Sequence, residues 1–229
     1  MACVMGKISI ALDGPSAAGK STLARKAANH FGFIYVDTGA LYRCVGLYTL
    51  RKNIGSKDEA GVTALLDGIK LEMKYDSMGV QRVILCGEDV TDQIRTPQAS
   101  KYASDVSAMP SVRAFLLSMQ RDMAKMYDVI MDGRDIGTVV LPDAALKVFI
   151  TADLGTRAKR RYIELQGQGI TTTLDEVMQE MAIRDENDSK RETAPLKVAD
   201  DAVLLDTTYM DLEQSFSTLC GMIAGRFGL

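Results

Sequence analysis

Short apolar runs alternate with stretches of helical period along this chain. Ile8-Ser-Ile-Ala-Leu12 is a compact apolar run closed by Asp13-Gly14-Pro15, the pattern of a buried strand ending in a turn. From Ser21 to Asn29 the residues are mostly helix formers, and Leu23, Ala24, Ala27 and Ala28 recur at the spacing of one helical face. Gly32 is expected to end that helix, and Phe33-Ile-Tyr-Val36, β-branched and aromatic, reads as a second strand. The chain therefore opens as a strand, a helix and a strand.

Val129-Ile-Met131, Leu146-Lys-Val-Phe-Ile150 and Val203-Leu-Leu205 are further runs of the buried kind, separated by helical stretches. That alternation predicts the α/β class, a parallel sheet flanked by helices on both faces. Between Ile69 and Val90 the texture changes to β-rich segments broken at Asp76-Ser-Met-Gly79 and Gly87-Glu-Asp89, which predicts an inserted antiparallel meander. Pro97 to Ala108 and Pro110 to Met126 then read as two helices, the second opening with Pro in its first turn.

Composition narrows the classes. At 229 residues the chain suits one core with insertions better than two full domains. Its 47% hydrophobic and 25% charged residues exclude a disordered or fibrous chain. No apolar run nears the roughly 20 residues of a bilayer span, so no membrane helix is expected. Met1 to Gly6 lack the basic and apolar pattern of a secretory leader, so a cytoplasmic protein is expected. Cys3, Cys44, Cys86 and Cys220 are too dispersed for a zinc site or a disulfide framework, and reduced, mostly buried thiols are expected. A net charge of -3 gives no general attraction to nucleic acid, so an anion site must be local. His30 is the one histidine, which argues against histidine acid-base chemistry and multi-histidine metal sites.

Gly14-Pro15-Ser16-Ala17-Ala18-Gly19-Lys20-Ser21, followed by Thr22, fits the G-x-x-x-x-G-K-[ST] pattern of a phosphate-binding loop. It lies where that chemistry requires, after a strand and at the start of a helix, so that backbone N–H groups can meet phosphate oxygens. Lys20 would set its charge on the β and γ phosphates, and the Ser21 hydroxyl would coordinate Mg2+. Asp132 follows an apolar strand and could assist the metal; Asp13, also at a strand end, is a competitor, and either could cap a turn. The Asn-Lys-x-Asp segment of P-loop GTPases is absent, which favours a small kinase.

Three segments extend the pattern: Asp37-Thr-Gly-Ala-Leu-Tyr-Arg43, Asp132-Gly-Arg-Asp-Ile-Gly-Thr138 and Arg184-Asp-Glu-Asn-Asp-Ser-Lys-Arg191. With Gly87-Glu-Asp-Val90, Ile94-Arg-Thr96 and Ala194-Pro-Leu196, they make the chain resemble the bacterial cytidylate kinases of the nucleoside monophosphate kinase group. The resemblance covers nearly the whole chain. It implies a three-layer P-loop core at 1–37, 127–153 and 193–229, a monophosphate-binding region at 38–126 with a small antiparallel sheet, and a helical lid at 154–192.

The resemblance also implies site roles. Thr38 and Arg43 would hold the acceptor phosphate, with Tyr42 beside it and Arg134 approaching; Ser104, Arg113 and Asp135 would hold cytosine, and Asp188 the ribose. Two arginines offer fixed pairs of donors and neutralise a phosphate dianion that would repel the triphosphate. Arg157, Lys159, Arg160 and Arg161 crowd the start of a helix, and Arg157, Arg161, Arg184 and Arg191 are lid candidates for the triphosphate. Ala17 stands where the family often has Gly, and Asn187 where a lid arginine can occur. The implied reaction moves the γ-phosphoryl group of MgATP to CMP or dCMP, catalysed by Lys20, Arg134 and Arg191, in a monomer without nucleic-acid or membrane partners. Rival readings are a kinase for UMP, AMP or shikimate, and an ATPase that binds nucleotide without an acceptor.

Overall fold

The computed structural model describes residues 7–77 and 79–229; Cys3 and the start of the chain, and Met78 of the expected 76–79 turn, lie outside them. In chain order the strands are β1 (Ser9–Asp13), β2 (Ile34–Asp37), β3 (Leu71–Tyr75), β4 (Gln81–Leu85), β5 (Glu88–Asp89), β6 (Val129–Gly133), β7 (Leu146–Thr151) and β8 (Val203–Asp206). The helices are α1 (Lys20–Phe31), α2 (Thr38–Arg51), α3 (Glu59–Leu65), α4 (Pro97–Val106), α5 (Pro110–Met126), α6 (Leu154–Gly167), α7 (Leu174–Lys190) and α8 (Leu212–Phe227).

The chain divides into two compact units, one of residues 1–35 and 127–229 and one of residues 36–126. The main sheet has the order β2-β6-β1-β7-β8, and β1 pairs in parallel with β6 on one side and β7 on the other. β1 is central and apolar because both its faces are covered: Ile10, Ala11 and Leu12 have no exposed surface. Ile10, Leu12, Ile130, Val148, Ile150 and Leu205 from the sheet pack with Leu23, Ala24, Ala27 and Ala28 of α1, the apolar face expected from the sequence, and with Leu219 and Ile223 of α8. Gly32 ends α1 in the left-handed conformation at φ 71, where glycine avoids the Cβ penalty. In the same unit α6 and α7 share a small cluster of Ala158, Leu165, Val177 and Met181.

The second unit has its own core, from Leu41, Cys44 and Val45 of α2 to Val83 and Leu85 of β4 and Val112 and Leu116 of α5. Its sheet is the expected meander, β3-β4-β5, with antiparallel pairing throughout. Its second break needs correction. Glu88 and Asp89 are not turn residues but the edge strand β5, and the turn is Cys86-Gly87, with φ of 51 and 87. Two successive residues at positive φ match the twist of a two-residue hairpin. The thiol expectation also changes: Cys44 is buried, but Cys86 on that turn is exposed and Cys220 is half-buried. α4 ends at Val106, two residues short of the expected Ala108. Among the described residues no helix is long and apolar enough to cross a membrane.

Candidate active site

The loop from Gly14 to Gly19 joins the end of β1 to the start of α1. Gly14 is dictated by a close approach: a Cβ there would lie 1.9 Å from the Ile150 carbonyl oxygen of β7, at φ +146. Ala17 lies at φ 57, left-handed backbone that glycine occupies more cheaply, and its side chain packs on the α6–α7 cluster. Gly14, Pro15 and Ala18 are buried, Ser16 is half-buried and Thr22 of α1 is exposed. Lys20 is buried, and its Nζ donates to the Pro15 carbonyl at 2.7 Å, tying the helix start back across the loop. Burial, helped by the charge of Arg134, pulls the Lys20 ammonium down to about 7.

The two candidate aspartates separate. Asp132 at the end of β6 accepts from the Ser21 hydroxyl at 2.7 Å and from the Tyr35 hydroxyl at 3.0 Å. Asp13 accepts the backbone N–H groups of Ile136 and Gly137, both at 2.7 Å, and so caps a turn of π-helix over Ile136–Val140. Burial pushes the Asp13 carboxyl up to about 6 despite those two donors. A hydroxyl and a carboxylate are the hard oxygen donors that suit Mg2+. Among the described residues no cluster of three or more His, Cys, Asp or Glu could hold a metal by itself, which fits an ion completed by phosphate oxygens and water.

At the end of β6 two charged neighbours pair with the end of α7. Arg134 Nε meets Asp188 Oδ2 at 2.8 Å, and Arg191 Nη2 meets Asp135 Oδ1 at 3.5 Å. Burial alone would raise the Asp188 carboxyl, but Arg134, Arg184 and Arg191 hold it below the usual carboxylate range. Arg191 Nε also donates to the Ala194 carbonyl, and Ala194 itself lies at φ 51. Arg157 is buried rather than offered to solvent: its Nε donates to Ala152 O at 2.8 Å, and its Nη1 to Ser16 O at 3.2 Å and Asp185 Oδ2 at 2.6 Å. Arg161 is half-buried and paired with Glu164 at 2.8 Å; Arg184 is half-buried and Asn187 exposed on α7.

In the second unit Asp37 caps α2, accepting from Ala40 N at 2.9 Å. Its carboxylate also takes Arg43 Nη2 at 2.9 Å and Arg95 Nη2 at 3.0 Å. Thr38 is buried at the first position of α2. The Arg113 guanidinium stands 5.6 Å from the centre of the Tyr42 ring and donates to Ser107 O at 3.1 Å. Ser107 Oγ in turn reaches Ser104 O at 2.9 Å, so α2, α4 and α5 bring Tyr42, Ser104 and Arg113 into one neighbourhood.

Sequence reasoning missed Tyr35, Asp37, Arg95 and Asp185. Asp37 heads the Asp-Thr-Gly segment before a helical run, where an N-cap belongs, and that signal could have found it. The other three are joined to the site only by tertiary contacts.

A P-loop closing on a parallel sheet, with lysine, serine and aspartate gathered at the strand ends, defines a kinase of the P-loop class. A family model described as cytidylate kinase matches residues 10–224, and the chain belongs to that family. It is 49% identical over 210 residues to a cytidylate kinase of Caldicellulosiruptor saccharolyticus, covering 92% of each chain. It is 44% identical over 214 residues to one of Lactobacillus johnsonii, covering 93% of each. Among solved structures, an uncharacterised protein from Eubacterium ventriosum aligns with a TM-score of 0.50 at 13% identity, covering 95% of this chain and 98% of that one, a likeness of fold.

Proposed function

We propose that the protein transfers the γ-phosphoryl group of ATP to CMP or dCMP, giving ADP and the nucleoside diphosphate. The observation that carries this is the P-loop with buried Lys20 and the Ser21–Asp132 pair, in a chain of the cytidylate kinase family. Gly14 to Thr22 cradle the triphosphate, with Lys20 on the β and γ phosphates. Ser21 and Asp132 are the residues to hold Mg2+, which, when bound, neutralises charge on the β and γ oxygens. Transfer needs no covalent intermediate; it needs the acceptor oxygen aligned with the γ phosphate and spread negative charge stabilised. Lys20, Arg134 and Arg191 serve that second need.

On the acceptor side, Thr38, Tyr42 and Arg43 serve the phosphate, Ser104 and Arg113 the base. In the P-loop unit Arg134 serves the acceptor phosphate as well, Asp135 the base and Asp188 the ribose. Residues 154–192 act as a lid that excludes water, with Arg161 and Arg184 facing the triphosphate when it closes. Arg157 is held by Ser16, Ala152 and Asp185, which supports a role in shaping the loop from behind. The core at 1–37, 127–153 and 193–229 and the monophosphate region at 38–126 complete this division. On this reading the protein works in the cytoplasm as a monomer on small molecules.

The test is ADP formation with CMP, dCMP, UMP and AMP, with free phosphate measured in parallel. Transfer predicts ADP that depends on CMP or dCMP without matching phosphate release. Equal release of ADP and phosphate in the presence of CMP would make the protein an ATPase.

A further inference from the structure

β1 and β6 run side by side to their ends, with Asp13 opposite Gly133 in the parallel register. The chain leaving β6 carries Arg134 and Asp135 and then winds into the Ile136–Val140 turn. Asp135 stands at the capping position of that turn, and its carbonyl takes the Val139 and Val140 N–H groups at 2.9 and 3.1 Å. An aspartate so placed ordinarily turns its own carboxylate onto the N–H groups that begin the turn. In this chain those groups, from Ile136 and Gly137, donate to Asp13 Oδ1 and Oδ2 instead, both at 2.7 Å. The Asp135 carboxylate is thereby left to meet Arg191 Nη2 at 3.5 Å.

The packing encloses this exchange of caps. Asp13 and Asp135 are both buried. Burial raises the Asp13 carboxyl and the charge of Asp135 adds to the rise, so two carboxylates compete for one N-terminal turn. On its other side the turn lies against β7: a Cβ on Gly137 would fall 3.0 Å from Lys147 Cδ, 3.2 Å from Lys147 Cγ and 3.3 Å from Asp13 Oδ2. Lys147 is itself buried, with Nζ anchored to Asp201 Oδ1 at 2.8 Å. The turn is therefore gripped between the end of β1 and the Lys147 stem. A buried N–H left without an acceptor is costly, so removing Asp13 would draw in another acceptor. The group that the sequence places to serve there is Asp135 itself.

We propose that Asp13 is a positioning residue for recognition of the acceptor's base: by capping the Ile136–Val140 turn in place of Asp135, it keeps the Asp135 carboxylate available to the substrate. The inference rests on the reading of Asp135 as a base contact given above, and deepens it by naming what holds that carboxylate. A recognition group works only when held to within about 0.5 Å of its productive geometry. A carboxylate folded back onto its own turn would not be.

The test measures kcat/KM for CMP and UMP in competition, and KM for ATP, in Asp13→Asn, Asp135→Ala, the double variant and Gly137→Ala, with circular dichroism confirming the fold. Asp13→Asn keeps the side chain's size but sets an amide NH2 against one of the two N–H groups. It is expected to narrow the CMP to UMP ratio by roughly 10-fold, the scale of one hydrogen bond to a charged group, with the KM for ATP unchanged. In the Asp135→Ala background the same change should narrow the ratio no further, since Asp13 acts through Asp135. A merely structural role would lower turnover on both nucleotides, and in both backgrounds. Should Asp13→Asn fail to fold, Gly137→Ala decides, because its methyl group presses the turn against Asp13 and Lys147 and should narrow the ratio in the same way. A ratio within about twofold of wild type in the deciding variant, or equal narrowing in both backgrounds, overturns the proposal. An unchanged ratio in Asp135→Ala overturns it too, by removing the group through which Asp13 acts. Wild-type protein that phosphorylates neither nucleotide defeats the functional reading and the proposal together, whereas a CMP preference that Asp13→Asn leaves intact defeats the proposal alone.

Discussion

The Ser21 hydroxyl donates to the Asp132 carboxylate at 2.7 Å, joining the first turn of α1 to the end of β6. The same carboxylate receives the Tyr35 hydroxyl on its other oxygen at 3.0 Å, so its orientation is fixed from two sides. Asp132→Ala is expected to cut turnover at least tenfold and to raise the Mg2+ concentration needed for half-maximal rate, whereas Tyr35→Phe loosens one hydrogen bond and should cost much less. Rates measured across a Mg2+ titration check this, and an unchanged metal requirement in Asp132→Ala would remove Asp132 from the metal's ligands.

Lys20→Met should leave a folded protein with turnover lowered about a hundredfold or more, because a preorganised charge contact commonly supplies about 3 kcal/mol of barrier reduction. Steady-state rates at saturating MgATP and CMP are the measure. Near-normal turnover would sink the role given to Lys20.

Asp13 and Asp132 were indistinguishable as strand-end aspartates, and the difference between them lies in contacts that no local pattern encodes. Which carboxylate meets Ser21 depends on the parallel register Leu12↔Asp132 and Asp13↔Gly133, set when two strands over a hundred residues apart pair. The core sheet and α1 were legible because their apolar periodicity is local. The Cys86-Gly87 hairpin was placed too late because polar Glu88 and Asp89 look like loop, yet a two-residue edge strand can be wholly polar. Arg157 is a lid candidate by family resemblance, and a charge run by itself reads as a solvated face; its burial follows from Ser16, Ala152 and Asp185 converging on it from three places in the chain.

Asp13 carries a pH signature. Its folded carboxyl is raised to about 6 by burial, against an unfolded value near 3.8. A raised folded value means the contribution is present below the unfolded value and is lost as pH rises through the folded one. Wild-type stability should therefore fall relative to Asp13→Asn by about 2 kcal/mol between pH 4 and pH 6.5. Urea unfolding of both proteins across that window tests it, and parallel curves would show that Asp13 does not titrate there.

Ala194 at φ 51 stores backbone strain next to the carbonyl that receives Arg191. Ala194→Gly should raise stability by about 0.5 kcal/mol, and Ala194→Val should lower it by about 1–2 kcal/mol, since a β-branched residue tolerates the left-handed region least. Chemical denaturation midpoints decide it; Val tolerated without loss would show that the turn readily takes another conformation.

Base selection is expected to run through Asp135. Cytosine offers an amine at its 4-position to a carboxylate, while uracil presents an oxygen there and leaves two acceptors opposed. Asp135→Ala should narrow the CMP to UMP ratio of kcat/KM by about 1–3 kcal/mol, while Arg134→Ala weakens both substrates alike. Competition kinetics would expose an unchanged ratio, which would free Asp135 from reading the base.

The two apolar cores consist of different stretches of chain, one drawn from α2 to α5 and the other from the parallel sheet with α1 and α8. Each is a self-contained packing problem. A designer can therefore repack residues 36–126 as a problem separate from the packing around the P-loop, although on the proposed roles a new acceptor would also have to suit Arg134, Asp135 and Asp188 of the other unit. In the same way, packing errors introduced into one core should stay local to it and leave the other core's jigsaw intact.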